Sequence, residues 1–200
     1  VQYDAEDGSI VRISPLTPED VRGVAVVLTR SFATTLPSIE DGRKYAAEML
    51  DKTAGAILLV MRLYPPATIN NNNNEAEQSP PNPKNNKPYR VIGMASLSFN
   101  RDTREEFPSL QPPDDAVYLS NIAIDLSYRR KGHARQMMGV CEDVGKRRSK
   151  SGEMYLHVRL VDEGAEALYR SLGYETVDQD AWLVKLRGLT PRKMMKKKLQ

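Results

Sequence analysis

The chain has 200 residues, 40% of them apolar, which is material for one ordinary hydrophobic core. A formal charge of +3 is too small to announce a partner through the field of the whole molecule, and no apolar run approaches the roughly 20 residues of a membrane span. A single cysteine, Cys141, excludes an internal disulfide. The two histidines, His133 and His157, are too few for a typical zinc site without cysteines to help, so no metal is expected.

Val1 stands first in place of a methionine, so a processed product is expected, with no signal peptide in view. Ile10 to Ser14 reads as a short strand. Thr17 is an N-cap candidate, with Pro18 at the first helical position and Glu19 and Asp20 in the first turn. Val21, Val24, Ala25, Leu28 and Phe32 then recur at helical spacing. A second helix is expected from Glu40 to Lys52, with Tyr45, Met49 and Leu50 on one side, and a buried strand from Ala54 to Arg62. From Tyr64 to Pro88 the composition turns to asparagine and proline and supplies no core face. The expectation is a disordered insert at about 64–88 in a hairpin, because the fragment before it is too short to bury its own core. Tyr89 to Phe99 resumes as a strand.

Val117 to Ile124 is rich in β-branched and aromatic residues and reads as another strand. A helix-forming run opens at Arg129 and extends to about Lys150. Met154 to Leu160 alternates as a strand, with Met154, Leu156, Val158 and Leu160 on one face. A short helix begins at Asp162 or Gly164, carries Ala165, Ala167, Leu168, Tyr169 and Leu172, and stops at Gly173. Tyr174 to Val177 and Ala181 to Leu186 are expected as the last strands. Residues 191–200 form a basic tail, for which solvated disorder is the default and nucleic-acid or membrane contact the alternative. The whole reads as a mixed α/β (α+β) fold of about seven strands and four helices, one domain over residues 1–190.

The turn between the Val117–Ile124 strand and the following helix carries the chemistry. Arg129, Arg130 and Lys131 are cationic, and Gly132 lets a backbone approach an anion without a Cβ in the way. A helix start adds unpaired N–H groups and the positive end of the macrodipole, so the turn suits a pyrophosphate. Basic strand-to-helix turns are also common as plain structure. The spacing is neither the dinucleotide G-x-G-x-x-G pattern nor a Walker loop.

Arg129-x-x-Gly132-x-Ala134 resembles the Q/R-x-x-G-x-G/A signature of the GCN5-related N-acetyltransferases (GNAT), in the place where that family has it. The segment Leu156-His-Val-Arg-Leu-Val-Asp162, then Ala165, then Leu168-Tyr169-Arg-Ser-Leu172-Gly173-Tyr174, resembles the same family's second hallmark. Asp162 departs from it, standing where asparagine is usual. The resemblance covers residues 10 to 187, most closely 116 to 174, and the element order is similar too. It implies a central mixed, mostly antiparallel sheet whose strands splay apart at the site of the donor, acetyl-CoA.

Position by position, the resemblance implies that backbone groups from Ile122, Ala123 and Ile124 meet the pantetheine arm. Arg130, Lys131, Gly132, His133, Ala134 and Arg135 would wrap the pyrophosphate, and Asp162, Glu163 and Gly164 would border the cofactor. Acyl transfer from a thioester needs a free amine, a donor to the oxyanion and a proton for the leaving thiolate. The N–H of Ile122 is the expected oxyanion donor. Tyr169 stands where the family has its general acid, and a thiol near pKa 8.5 needs only a modest push from a phenol near 10. The plain alternative for Tyr169 is a core aromatic. Tyr118 and His157 match a pair in NatE-type N-terminal acetyltransferases that is implied to take the amine proton through water, an imidazole near pH 6.5 being suited to that work. His157 could equally be a satisfied core histidine, and Glu153 and Glu105 are weaker candidates for the base.

At pH 7, roughly 300-fold more of a peptide α-amine than of a lysine side chain is neutral, judged by their reference pKa values. Protein N-termini are therefore the expected acceptors, with lysine as a second. The long insert, the Tyr-Arg-Arg-Lys-Gly run and the Met-Lys-rich end resemble plant plastid-type members, which implies the chloroplast stroma, with the cytoplasm as alternative. A small-amine N-acetyltransferase, for polyamines or arylalkylamines, and a non-catalytic acyl-CoA-binding module are the competing readings. Protein or peptide substrates are the expected partners, with no membrane and no nucleic acid.

Overall fold

A computed structural model describes residues 1–5, 7–32, 38–52, 54–66, 68–69, 76–77, 87–104, 109–181, 184–185 and 188–199. The strands are β1 (Gln2–Asp4), β2 (Ile10–Pro15), β3 (Ala56–Tyr64), β4 (Thr68–Ile69), β5 (Ala76–Glu77), β6 (Arg90–Ser98), β7 (Val117–Ile124), β8 (Glu153–Arg159), β9 (Glu175–Gln179) and β10 (Arg192–Lys198). The helices are α1 (Val21–Ser31), α2 (Ile39–Asp51), α3 (His133–Arg148) and α4 (Glu163–Ser171). Eight strands hydrogen-bond in the order β1-β2-β3-β6-β7-β8-β10-β9, and β4 pairs with β5. The β7–β8 pair is parallel while β1–β2, β2–β3, β8–β10 and β9–β10 are antiparallel, so the sheet is mixed. Among the described residues no helix is long and apolar enough to cross a membrane.

The chain divides into two compact units. The first comprises Val1–Asp51, Leu58–Met94 and Ala123–His133. Its strands align Tyr3 with Val11 and Val11 with Leu63, and the apolar sides of β2, β3 and β6 bury Val11, Ile13, Met61 and Ile92. The helical spacing read at Val24, Ala25 and Leu28 holds: all three are buried on α1, which packs on α2. Thr17 and Asp20 form the expected cap, around a 3-10 turn that leads into α1. Asp20 does more than cap. It is fully buried and accepts from Arg62 Nε at 3.0 Å, Tyr89 Oη at 2.8 Å, Thr17 N at 3.0 Å and Thr17 Oγ1 at 2.7 Å. Burial alone would raise its carboxyl, but these donors outweigh it and hold Asp20 below the usual carboxylate range. In that state Asp20, at the head of α1, is tied through Arg62 to β3.

The second unit comprises Lys52–Ile57, Ala95–Ile122 and Ala134–Gln200. The alternation read in Met154, Leu156 and Val158 is the buried face of β8, and α3 contributes Met137, Met138 and Cys141 to the same unit's core. Gly173, at φ 88, ends α4 in the left-handed conformation that a residue with a Cβ adopts at a cost.

Three expectations are corrected. The helix read from Arg129 starts at His133, because Arg130 and Gly132 both take positive φ (65 and 77) and break the helical path. The last strand is not Ala181–Leu186, whose described residues Ala181, Val184 and Lys185 are not strand; it is β10. The basic run read as a solvated tail therefore pairs along β8 from Arg192↔Arg159 to Lys198↔Glu153, and Met194 and Met195 are buried. Three of its lysines pair with carboxylates: Lys193 with Glu166 at 2.7 Å, Lys196 with Glu153 at 3.3 Å and Lys197 with Glu142 at 2.6 Å. Of the expected insert, β4 and β5 are described, while residues 67, 70–75 and 78–86 lie outside the described residues.

Candidate active site

In the first unit, the end of β7 runs into the basic turn. Asp125 caps it, accepting from Ser127 N at 3.0 Å and pairing with Arg30 at 2.9 Å. Arg129 turns back on the strand, its Nε donating to the Ile124 carbonyl at 3.0 Å. Arg130 and Lys131 are exposed, and among the described residues neither side chain makes a hydrogen bond or ion pair; Lys131 lies 5.8 Å from the Tyr128 ring centroid. A Cβ placed on Gly132 would meet nothing within 4 Å, so the space in front of that backbone is open. Left-handed residues on either side of Lys131, just ahead of a helix start, aim N–H groups outward, and with exposed cations beside them the turn fits a diphosphate. His133 points the other way. It is buried, at 4% exposure, with Nδ1 2.8 Å from Tyr3 Oη.

In the second unit, the register of β7 on β8 runs from Val117↔Met154 to Leu119↔Leu156, and the next residues of β7, Ser120, Asn121 and Ile122, are half-exposed. Asn121 has φ 51, a conformation that asparagine tolerates better than most residues. This kink was not read from the sequence. Its signal was an asparagine inside a β-branched run.

Tyr118 is 1% exposed, and its Oη lies 2.8 Å from His157 Nδ1. His157 Nε2 lies 2.8 Å from the carbonyl of Leu110, a residue itself held at φ 55. A carbonyl only accepts, so Nε2 carries the hydrogen, Nδ1 is the acceptor and the phenol is the donor. Burial pushes the His157 imidazole down from 6.5 to about 4, so the ring is neutral near pH 7. Arg104 lies beside the pair, 5.6 Å from the Tyr118 ring centroid. It is 8% exposed and donates to the carbonyls of Pro112, Pro113 and Ala116. Neither Leu110 nor Arg104 was singled out in the sequence, since no motif marks them.

Tyr169, on α4, is 5% exposed, with its ring 6.0 Å from that of Tyr174. Burial raises its phenol well above the ordinary range, and its hydroxyl makes no hydrogen bond among the described residues. Asp162 does not cap α4 with its side chain but pairs with Arg159 at 2.7 Å, while Glu163 and Gly164 are exposed at the helix start. Arg135 reaches Ser171 Oγ at 2.7 Å. Glu153, weighed as a base, accepts from Tyr155 Oη at 2.9 Å and pairs with Lys196, and these partners hold its carboxyl low, which makes it a poor base. Glu105 lies outside the described residues. Among the described residues no group of three or more His, Cys, Asp or Glu side chains lies placed to hold a metal ion.

The sequence profile of the acetyltransferase (GNAT) family matches residues 60–174. Over 92 residues, 46% of this chain, the chain is 35% identical to the chloroplastic GCN5-related N-acetyltransferase 5 of Arabidopsis thaliana. The matched stretches span less than a third of the length of the curated relatives: 29% of that protein and 17% of another. Among solved structures, the ribosomal-protein-S18-alanine N-acetyltransferase of Escherichia coli is similar at TM-score 0.59 and 18% identity, covering 95% of this chain and 94% of that one. The PaiA N-acetyltransferase of Thermoplasma acidophilum, solved with coenzyme A, is similar at TM-score 0.58 and 16% identity, covering 94% and 98%. At these identities the likeness attests the fold.

Proposed function

The chain belongs to the acetyltransferase (GNAT) family, and we propose that it moves acetyl from acetyl-CoA to protein amines, to N-terminal α-amino groups first and to lysine side chains second. Bound acetyl-CoA would supply a thioester whose carbon an amine can attack and whose thiolate leaves readily. The chain's own groups do the rest. The N–H groups of residues 130–135 and the side chains of Arg130 and Lys131 hold the diphosphate. The half-exposed stretch at Ile122 offers backbone groups to the acyl arm, and its N–H serves as the donor to the oxygen that gains charge. The hydroxyl of the buried Tyr169 gives its proton to the departing sulfur.

The Tyr118–His157 pair carries the proposal for the acceptor. With the phenol's hydrogen committed to Nδ1, the Tyr118 oxygen keeps lone pairs to receive a proton from the amine, through a water, while its own proton passes to Nδ1. The imidazolium so formed keeps both N–H groups bonded, to Tyr118 and to Leu110. A base near 4 cannot deprotonate a free ammonium; it takes the proton once attack has made the nitrogen acidic. The amine must therefore arrive neutral, which favours an α-amine near 7.7–8.0 over lysine near 10.4. The E. coli neighbour, named as an N-acetyltransferase of a ribosomal-protein alanine, supports protein substrates, and the chloroplastic relative supports the stroma. The pairing of the β10 lysines with carboxylates speaks against a nucleic-acid surface there.

The test is acetyl transfer from labelled acetyl-CoA to peptides with free or blocked N-termini, with and without lysine, read by mass spectrometry. Label on free N-termini that disappears in Tyr118→Phe supports the proposal. Transfer to polyamines alone, or coenzyme A binding with no transfer to any amine, refutes it.

A further inference from the structure

We propose that Tyr3, on β1, is a positioning residue for the diphosphate-binding turn, acting through the imidazole of His133. The inference rests on the acetyl-CoA reading above. The turn from Arg129 to His133 is backbone-driven: Arg130 at φ 65 and Gly132 at φ 77 aim its N–H groups, and like charges at 129, 130 and 131 push it apart. Such a segment keeps its shape only if both ends are held. The front end is held by Arg129 Nε on the Ile124 carbonyl and by Asp125 on Ser127 N. Residues 130–132 add no side-chain hydrogen bond or ion pair among the described residues.

The back end is His133, the first residue of α3, and its side chain is fixed by the 2.8 Å bond to Tyr3 Oη. Tyr3 is itself seated, paired in register with Val11 and with its hydroxyl 3.8 Å from Met61 Sδ. Burial and the neighbouring Lys131 keep His133 neutral, so it is not a phosphate-binding cation. A neutral imidazole and a phenol share one hydrogen across the bond, whichever of the two donates it, and the ring direction is set. With the ring set, so is the backbone of His133 and, through it, the peptide after Gly132. Those are the N–H groups that the helix start offers to an anion. Tyr3 therefore reaches the donor's diphosphate end without touching it, and leaves the acyl end alone.

The test measures coenzyme A binding by titration calorimetry in the wild-type chain, Tyr3→Phe, His133→Ala and the double variant, with thermal melting to check that each folds. Tyr3→Phe keeps the ring and removes the hydroxyl. Its Kd for coenzyme A is expected to rise about 3- to 10-fold, the weight of one hydrogen bond. The double variant should bind no more weakly than His133→Ala, since both changes break the same link. In turnover, KM for acetyl-CoA should rise by the same factor with kcat unchanged. With S-acetylpantetheine, which has no diphosphate, Tyr3→Phe and wild type should match. An unchanged Kd, additive penalties, or an equal loss with S-acetylpantetheine overturns the inference and leaves the acetyl-CoA reading standing. A wild-type chain that binds no coenzyme A removes both. Should Tyr3→Phe fail to fold, His133→Ala against S-acetylpantetheine and acetyl-CoA decides alone, by the same contrast.

Discussion

Tyr118 donates to His157, and the direction is decided by a third residue: His157 Nε2 is committed to the Leu110 carbonyl, so Nδ1 is left to accept at 2.8 Å. The imidazole is held neutral by burial, and this has consequences for stability as well as for chemistry.

The folded His157 titrates at about 4 against an ordinary 6.5, so between those values the unfolded chain binds more protons than the folded one. Stability is complete above pH 6.5 and falls as pH drops toward 4. By linkage the loss is on the order of 2 kcal/mol at pH 5. His157→Gln should flatten this slope. Denaturant unfolding of both chains at pH 7 and pH 5 checks it, and an equal pH slope in the two would show that His157 is not the group responsible.

Tyr118→Phe removes the hydroxyl that relays the amine's proton. At saturating acetyl-CoA, kcat should fall by about 10²-fold, the lower range for a lost acid–base group, with coenzyme A affinity unchanged. The wild-type rate should climb with pH up to the acceptor's own pKa, with no inflection from His157 above pH 5. Steady-state rates from pH 5 to 9 on an N-terminal peptide decide between this and a histidine that titrates near 6.5.

Tyr169→Phe separates catalysis from stability. The hydroxyl has no partner among the described residues, so its loss should leave the melting temperature unchanged or slightly higher. Turnover should drop by about 10-fold, since a thiolate of pKa near 8.5 leaves without much help. A large fall in melting temperature would instead mark Tyr169 as a structural aromatic.

Arg62 and Asp20 make the reverse case, a pair with no proposed part in the chemistry. Arg62→Ala leaves a fully buried carboxylate with one strong donor gone, and should cost about 3–5 kcal/mol. Equilibrium denaturation measures it. Arg62→Met combined with Asp20→Asn should recover part of the loss, because the uncompensated charge goes as well.

Gly132→Ala tests the turn. A Cβ there meets no neighbour, so the cost is conformational: an L-residue at φ 77 is disfavoured by roughly 1–2 kcal/mol. The backbone should relax away from that conformation and coenzyme A should bind about 10-fold more weakly. Calorimetry with coenzyme A, and with pantetheine as control, reads this directly.

What the sequence determined by itself was local. Val117–Ile124 is a strand with the bounds expected, because β-branched and aromatic neighbours favour extended backbone within the run itself. Thr17, Asp20 and Gly173 mark helix ends through contacts or dihedrals spanning a few residues. The two signatures, at 129–134 and 156–174, were legible for the same reason, and they were enough to point to the family.

Only the tertiary structure decided the rest. The run Arg192–Lys198 looks like a solvated tail because its charges have no partner nearby in sequence; Glu166, Glu153 and Glu142 neutralise it, and β8 and β9 take up its backbone. The start of α3 moved to His133 because Arg129 is drawn back to a strand carbonyl and Arg130 is left-handed, which helix propensity does not register. Leu110 sets the tautomer of His157, and Tyr3 orients His133 from the other end of the chain. Propensity and spacing act over a turn or two, whereas a hydrogen bond between distant residues exists only once the strands between them have paired.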